Sequence, residues 1–285
     1  MSIPMEKKGR RLVWHDEFDG NAIDYDKWCF RRTMGYPDRD FDNSERCIRV
    51  EDGNAHLQVW KSDKEGCTYA LSEGFTTCNT MNFKYGYLEM RAKVPYRKGA
   101  WPSFWMQASP HFRQCAAWMC ETDIFEVFSS DRWLGSCLHK WGKDGKYAML
   151  DINKVPRVYT FENYENLNDE YHVYGFEWDP QEMKFYVDDE CFATFPITVE
   201  GGGDFGHDVL PGVEGFHDFQ FIIINNEIYT VNNWKDPGPD QLKIALNDAD
   251  VMPIDYFIDY MRLYQREGEE IKLKPEIDAV IASKA

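Results

Sequence analysis

Apolar and polar residues alternate along several short segments of this 285-residue chain, and helical periodicity is hard to find. Successive side chains of a strand point to opposite faces, so this pattern predicts half-buried β-strands. The segments are 54–60, 84–94, 171–178, 183–194 and 255–264, and Gly, Asp, Asn and Pro separate them. Many short strands with few helices are typical of a sandwich or a barrel. The sequence therefore predicts an all-β fold.

The chain is predicted to form one domain over residues 1–285, because no internal repeat, low-complexity block or linker interrupts it. Residues 50–53 (Val-Glu-Asp-Gly) and 187–190 (Val-Asp-Asp-Glu) have the composition of tight turns between strands. We place the core at about 11–266. The tail, 267–285, is polar and charged, and we expect a short helix or a disordered segment there.

The charge balance excludes some partners. With 49 acidic against 32 basic residues the formal net charge is −17, and a nucleic-acid partner would require a basic face. The same excess disfavours a strongly sulfated substrate, although a local cationic patch could overcome it. No apolar run reaches the length of a membrane span, and the first residues contain no apolar signal-peptide core. These residues alone fit either a cytoplasmic protein or one whose signal has been removed.

Eight cysteines are present, and none forms a Cys-x-x-Cys pair. That spacing argues against a zinc ribbon or a thioredoxin-like motif. We expect mostly free, buried thiols that act as small apolar residues. A link between Cys115 and Cys120 is the alternative.

The segment 119–128, Met-Cys-Glu-Thr-Asp-Ile-Phe-Glu-Val-Phe, places three carboxylates among apolar residues. In a regular strand Glu121 and Asp123 share a face while Glu126 points to the other. A one-residue bulge after Asp123 would return Glu126 to the shared face, and bulges recur beside active sites. Two carboxyl groups on one face are what a retaining glycosidase requires. The alternative is a solvated acidic face, but unpaired carboxylates on so apolar a strand would be costly.

The same segment resembles the bulged Glu-x-Asp-x-x-Glu signature of glycoside hydrolase family 16. Further similarities follow in the family's order, from the opening Leu-Val-Trp-His-Asp-Glu-Phe-Asp-Gly at 12–20 to the long strand at 83–95. Gly-Ala-Trp-Pro-Ser-Phe-Trp-Met at 99–106 resembles the family's cleft strand, and later signatures are matched at 174–188 and 258–264. Together they span roughly residues 12–265.

The resemblance implies a concanavalin A-like jelly-roll sandwich of two curved antiparallel sheets with an open substrate cleft. It also implies that Glu121 is the nucleophile, Asp123 its orienting helper and Glu126 the acid/base. The reaction would be hydrolysis within a polysaccharide through a covalent intermediate, with retention of configuration and no catalytic cofactor.

Further residues match positions that contact substrate in the family. At least one of Trp101 and Trp105 would stack on a sugar near the cleavage point, Arg91 would reach the cleft, and His139 would act near Asp123 or the substrate. An Asn-x-Glu contact to substrate would come from Asn43 and Glu45, for which turn chemistry is the alternative. We also expect substrate contacts from Trp141 and Asn225.

The resemblance also implies a possible structural calcium ion, because Glu17, Gly53 and Asp259 match its ligands on the convex side. Hard oxygen ligands suit calcium. By the same resemblance we expect a secreted or cell-surface monomer that acts on a polysaccharide.

The sequence departs from the laminarin-cleaving pattern at two places. Cys120 replaces a usual glycine, and Phe221–Tyr229 lacks the glycines of the family's corresponding strand. We expect an endo-acting hydrolase of β-1,3 or mixed β-1,3/1,4-glucan, with a β-linked galactan such as an agar-type polymer or a host glycan as the alternative. A transglycosylase of the xyloglucan type and a non-catalytic lectin on the same fold fit the carboxylate segment less well.

Overall fold

The computed structural model describes residues 3–31, 38–128, 133–150, 158–160, 170–247 and 252–284. These residues form 21 strands, two α-helices and three short 3₁₀ turns. In chain order the strands are β1 (Glu6–Lys7), β2 (Arg10–Asp16), β3 (Cys29–Phe30), β4 (Arg39–Phe41), β5 (Ile48–Glu51), β6 (Asn54–Lys61), β7 (Tyr69–Leu71), β8 (Phe75–Thr76), β9 (Met81–Lys84), β10 (Gly86–Lys93), β11 (Ala100–Ala108), β12 (Trp118–Glu126), β13 (Trp133–Gly142), β14 (Tyr147–Met149), β15 (Val158–Thr160), β16 (His172–Trp178), β17 (Glu182–Val187), β18 (Glu190–Pro196), β19 (Gln220–Ile228), β20 (Ile254–Gln265) and β21 (Glu270–Leu273). The helices are α1 (Pro239–Ile244) and α2 (Lys274–Lys284), and the 3₁₀ turns cover Lys143–Gly145, Glu214–His217 and Val231–Asn233.

The described strands form two sheets. The outer sheet has eleven strands in the order β18-β17-β16-β10-β20-β6-β7-β4, with β1, β2 and β5 attached. The cleft sheet has ten, in the order β14-β13-β12-β11-β19-β8-β3, with β9, β15 and β21 attached. Neighbouring strands are antiparallel, as in β11–β12 and β10–β20, whereas β4 and β7 are parallel. The predicted all-β jelly-roll sandwich is confirmed.

The predicted strands are present with small changes of boundary. Segments 54–60, 171–178 and 255–264 correspond to β6, β16 and β20, and 183–194 folds into the hairpin β17–β18. Both predicted turns connect strands. Their central residues, Asp52 with Gly53 and Asp188 with Asp189, all have positive φ, as in the type I′ turns that suit the twist of a hairpin.

A layer of aromatic side chains joins the two sheets directly beneath the carboxylate strand. Phe125 of β12 packs against Phe104 of β11, with ring centroids 6.0 Å apart, and both are fully buried. From the outer sheet, Tyr174 lies 4.6 Å and Tyr256 6.5 Å from the same ring. Burying each such side chain contributes about 1.5–3 kcal/mol. The inward face of β12 is therefore anchored while its other face remains available for chemistry.

Both chain ends extend the sandwich beyond the predicted core limits of 11 and 266. At the start, β1 pairs with β2. In the tail, β21 pairs with β9 and α2 follows it, with Ile277 fully buried. The tail prediction was right about a helix and missed the strand, because an edge strand is held by backbone hydrogen bonds that need no apolar alternation.

All eight cysteines lie in the described residues and carry free thiols, so the alternative link between Cys115 and Cys120 does not form. Cys47, Cys120 and Cys137 are buried and Cys191 is exposed, with the rest half-buried. The expected burial therefore holds for only some of them. None of the described helices is long and apolar enough to cross a membrane.

Gly74 precedes β8 at a close approach to β19, which makes it a test of sheet packing. Its φ is +86°, and a Cβ added there would lie 2.3 Å from the carbonyl oxygen of Ile224 and 2.8 Å from Cβ of Asn225. Gly66 has nearly the same φ, +84°, with nothing within 4 Å of an added Cβ. We expect Gly66→Ala to cost about 1–2 kcal/mol from the left-handed backbone alone, and Gly74→Ala about 1–3 kcal/mol more from the clash. Urea unfolding of both variants measures the difference, and equal losses would contradict the packing argument.

Candidate active site

Strand β12 contains a bulge at Ile124. Along its border with β11, Phe125 pairs with Phe104 and Asp123 pairs with Trp105, so Ile124 has no opposite residue. On the β13 side the register also shifts between Asp123 and the end of the strand. The bulge predicted from the spacing of the acidic residues is confirmed.

The bulge turns all three carboxylates to the face of the cleft sheet that points away from the apolar core. Glu121, Asp123 and Glu126 line one pocket of about 210 Å³. Ser136 of β13 donates a hydrogen bond of 2.6 Å to the carbonyl oxygen of Ile124, which satisfies a backbone group left without its ladder partner. The other residues lining the pocket are Arg31, Trp101, Ser103, Trp105, Asn225 and Glu227.

Asp123 is held by His139, as expected. The Nε2 atom of His139 lies 2.6 Å from Oδ2 of Asp123, and its Nδ1 atom lies 2.6 Å from the hydroxyl of Tyr147. Burial lowers the pKa of His139, but the hydrogen bonds to Asp123 and Cys137 outweigh it and raise the pKa to about 12. The imidazole therefore stays protonated, and its charge lies 3.9 Å from a carboxylate oxygen of Glu121.

The carboxyl groups of Glu121 and Glu126 both bind protons more tightly than usual. Burial, followed by the charge of Asp123, raises the pKa of Glu121 to about 7 and that of Glu126 to about 8. His139 and a hydrogen bond from Trp141 oppose the rise at Glu121. The two carboxyl groups can therefore hold a proton between them near neutral pH, as a site that needs one acid and one carboxylate requires.

The two tryptophans of β11 fix neighbouring polar groups. The indole N–H of Trp101 donates to Oε1 of Glu126 at 2.9 Å, and its ring is stacked on Tyr229 with centroids 4.5 Å apart. The indole N–H of Trp105 donates to Oδ1 of Asn225 at 2.8 Å. These two side chains thus orient the carboxyl group of Glu126 and the amide of Asn225.

Trp141 is an exposed aromatic residue on β13, beside the carboxylate strand β12. Its side chain is 41% exposed, and its ring centroid lies 4.4 Å from that of Tyr147 and 6.1 Å from that of His139. An exposed aromatic face therefore lies next to Glu121, to which Trp141 is hydrogen-bonded.

Comparison with known families matches residues 13–265 to the profile described as "Beta-porphyranase A-D, GH16 domain". The chain belongs to glycoside hydrolase family 16. It is thus a glycoside hydrolase, and the retaining mechanism is general to the family.

Several named relatives of this family 16 enzyme cleave β-linked polymers. A β-glucanase of Rhodothermus marinus is 28% identical, over 89% of this chain and 85% of its own. A keratan-sulfate endo-1,4-β-galactosidase of Sphingobacterium multivorum is 25% identical, over 89% of this chain and 55% of its own. The chain spans only 29% of the glucan endo-1,3-β-glucosidase A1 of Niallia circulans, to which it is 27% identical over 65% of its length.

Solved structures share the fold. A structure from work on endo-acting O-glycanases of the human gut microbiota that initiate mucin breakdown has a TM-score of 0.71, with 23% identity, and covers 99% of this chain and 97% of its own. At this identity the likeness concerns the fold alone.

Arg91 is not in the cleft of the family 16 enzyme, contrary to expectation. It lies on β10 of the outer sheet, where its guanidinium pairs with Asp259 and lies over the ring of Tyr171 at 4.3 Å. The reason is the sheet assignment, because β10 pairs with β16 and β20 and not with a strand of the cleft sheet.

Asn43 and Glu45 do not line the carboxylate pocket either. The amide of Asn43 donates to Glu73 at 2.9 Å, and its oxygen accepts from Ser72 Oγ and from the backbone N–H of Glu73. Glu45 is exposed. Asn43 thus ties its own loop to that of residues 72–73, as the turn alternative predicts, and the substrate contact of Asn43 and Glu45 stays a prediction.

The three predicted calcium ligands lie together on the outer sheet. Glu17, Gly53 and Asp259 line one depression, to which Asp19 and Asp52 also contribute. Carboxylate and carbonyl oxygens are the ligands that calcium prefers, so the donor set fits this ion.

Two contributors to the site were not expected from the sequence. Arg31 lines the pocket with its guanidinium 4.9 Å from the ring centroid of Trp105. Tyr147 completes the contact to His139. No local motif marks these two residues. Glu227, in the segment 221–229 whose missing glycines suggested different sugar contacts, also lines the pocket and forms an ion pair of 2.8 Å with the buried Arg39.

The opposed needs of the two glutamates predict a narrow bell-shaped pH profile. In the roles that the family resemblance implies, Glu121 acts ionised, so kcat/KM should fall as the pH drops through about 7, and Glu126 acts protonated, so kcat/KM should fall again above about 8. These limits describe the coupled carboxylates together. In Glu126→Gln, assayed on an aryl glycoside whose leaving group needs no proton, the alkaline limb should disappear while the acid limb persists. Persistence of both limbs would contradict the assignment.

Proposed function

We propose that Glu121 and Glu126 carry out retaining hydrolysis of internal β-glycosidic bonds in a polysaccharide. The observation that supports this most strongly is the bulge at Ile124, which brings both glutamates and Asp123 to one pocket. Two carboxyl groups with raised but unequal pKa values suit one acid and one nucleophile.

In the first step Glu126 donates its proton to the glycosidic oxygen while the carboxylate of Glu121 attacks the anomeric carbon. The leaving chain departs with that proton, and a glycosyl ester forms on Glu121. In the second step Glu126, now a carboxylate, takes a proton from water, and the water oxygen displaces Glu121. Two displacements at one carbon retain its configuration. His139 supports both steps by holding Asp123 and by keeping a positive charge near Glu121.

The first substrate candidate is a β-1,3 or mixed β-1,3/1,4-glucan. Its support is the relatives, among which a β-glucanase aligns over 85% of its own length. Trp101, Trp105 and the exposed Trp141 line or flank the pocket, and aromatic faces suit neutral sugar rings.

A β-linked galactan is the second candidate, and specific observations favour it. The matching family profile is described by β-porphyranases, and one relative is a keratan-sulfate endo-1,4-β-galactosidase. Arg31 supplies the pocket lining with a cation beside Trp105. This is the local positive charge that an anionic sugar would need against the overall charge of −17.

A reducing-sugar screen over laminarin, barley β-glucan, agarose, porphyran and mucin glycans tests the proposal. We expect release of oligosaccharides from at least one polymer, with the retained anomer formed first by proton NMR. Glu121→Ser should lower that rate to background, because no nucleophile remains. Glu65→Ser, at an exposed position outside the pocket, is the matched control and should keep the full rate.

Activity confined to agarose, porphyran or mucin glycans would replace the glucan candidate by the galactan. An inverted product, or a wild-type rate in Glu121→Ser, would contradict the mechanism itself. Secretion and a monomeric state stay predictions.

We propose further that the depression on the outer sheet binds a structural calcium ion. Its carboxylates outnumber its cations, since Glu17 accepts two hydrogen bonds from Arg262, of 2.9 and 2.6 Å, and Asp259 pairs with Arg91. The exposed Asp19 and Asp52 add negative charge without an arginine each. An excess of oxygen ligands and negative charge favours a divalent cation.

Calcium should therefore raise the melting temperature. At a concentration of 100 times Kd, binding adds about 2.7 kcal/mol, which is a rise of roughly 4–8 °C for a chain of this size. Asp259→Asn should abolish this increment, whereas Asp278→Asn, at an exposed position on α2, should preserve it. Differential scanning calorimetry with and without calcium measures it. An increment of equal size in both variants, or none in the wild type, would contradict the site.

A further inference from the structure

Three metal-ligating side chains of different chemistry meet on the floor of the cleft. A carboxylate oxygen of Asp123, the Sγ atom of Cys137 and a ring nitrogen of His139 all lie within 4.8 Å of one another. Strand pairing fixes this arrangement, because Asp123 lies opposite Cys137 and Glu121 lies opposite His139. All three residues are buried, with exposed fractions of 3% for Asp123, 4% for Cys137 and 8% for His139.

The proposed hydrolysis uses Asp123 and His139 directly, and the thiol takes part in none of the bonds that it makes or breaks. Cys137 forms no disulfide, and its side chain is hydrogen-bonded to His139. It faces the side of the cleft sheet that carries the carboxylates, unlike Cys120, which packs in the apolar core. The thiol of Cys137 therefore lies beside an imidazole and a carboxylate with which it could share a metal ion.

The donor set suits zinc better than calcium or magnesium. One thiolate, one imidazole and one carboxylate are borderline-soft ligands of the kind that zinc binds, with bond lengths of about 2.3, 2.0 and 2.0–2.2 Å. In a tetrahedral site such ligand atoms are separated by roughly 3.3–3.6 Å. All three ligand atoms lie within 4.8 Å of one another, and the 2.6 Å between His139 and Asp123 would have to lengthen on metal binding.

We propose that Asp123, Cys137 and His139 form a Zn²⁺ site whose occupation stops hydrolysis. On binding, the thiol and the imidazolium each release a proton to solvent, and the metal replaces the hydrogen bond between His139 and Asp123. Glu121, 3.9 Å from Nε2 of His139, is within reach as a fourth ligand. Asp123 opens into the pocket, which provides the route of entry.

The inhibition rests on the proposed function, because it removes the helper Asp123 and its cationic partner from the hydrolytic machinery. Metal binding itself does not rest on it. Binding and activity are therefore measured separately.

The binding experiment titrates the protein with Cd²⁺, a spectroscopic substitute for Zn²⁺, and records the thiolate-to-metal charge-transfer absorption in the ultraviolet. We expect one saturable band in the wild type and its loss in Cys137→Ser. The control is Cys78→Ser, because the thiols of Cys78 and Cys29 interact electrostatically and are the competing place for a thiophilic metal. This variant should keep the band.

The activity experiment titrates Zn²⁺ in the presence of excess calcium, on whichever glycan is cleaved. We expect inhibition that calcium-loaded EDTA reverses and that magnesium does not reproduce. Measured relative to its own basal rate, Cys137→Ser should need at least about tenfold more zinc for half-inhibition, since even outer-shell changes cost metal sites 10–100-fold. Cys78→Ser should behave as the wild type.

A charge-transfer band that survives in Cys137→Ser, or unchanged zinc sensitivity of that variant, would overturn the site. A cysteine-dependent band in a protein that hydrolyses no glycan would uphold the metal site and reject the proposed function instead. Circular dichroism of both serine variants establishes that they fold.

Discussion

The hydrogen bond from the hydroxyl of Ser136 to the carbonyl of Ile124 closes the bulge on which the catalytic face depends. A strand has a strict period of two, so two glutamates five positions apart would lie on opposite faces. The unpaired Ile124 corrects this, and Phe125 returns to the core to pack against Phe104. The same shift therefore serves both the apolar layer and the acidic pocket.

Around that bulge, the pocket is organised by groups that hold the carboxylates without sharing their chemistry. The indole of Trp101 fixes Glu126, and His139 fixes Asp123 under the support of Tyr147. Because residues on neighbouring strands make these contacts, the register of the sheet determines how Glu126 and Asp123 are oriented. A site on rigid strands keeps its geometry better than one carried by loops.

The sequence was sufficient for the features that periodicity encodes. Alternation located β6, β16 and β20, and a break in alternation located the bulge. It was insufficient where a contact joins distant segments. Arg91 sits in a motif that predicts a strand, but the motif does not say in which sheet that strand lies. Arg31 and Tyr147 reach the site through pairings that no local pattern records, and β21 is held at an edge by its backbone.

The placement of β20 has a consequence for biosynthesis. This late strand is central to the outer sheet, where it pairs with β2, β6 and β10. The early strands on either side of it therefore lack their common neighbour until residue 265 has left the ribosome. The outer sheet can therefore be completed only after β20 has been made, with sheet edges and apolar faces exposed meanwhile. Slow translation through this strand, or a chaperone that covers these edges, would then affect the yield of folded protein.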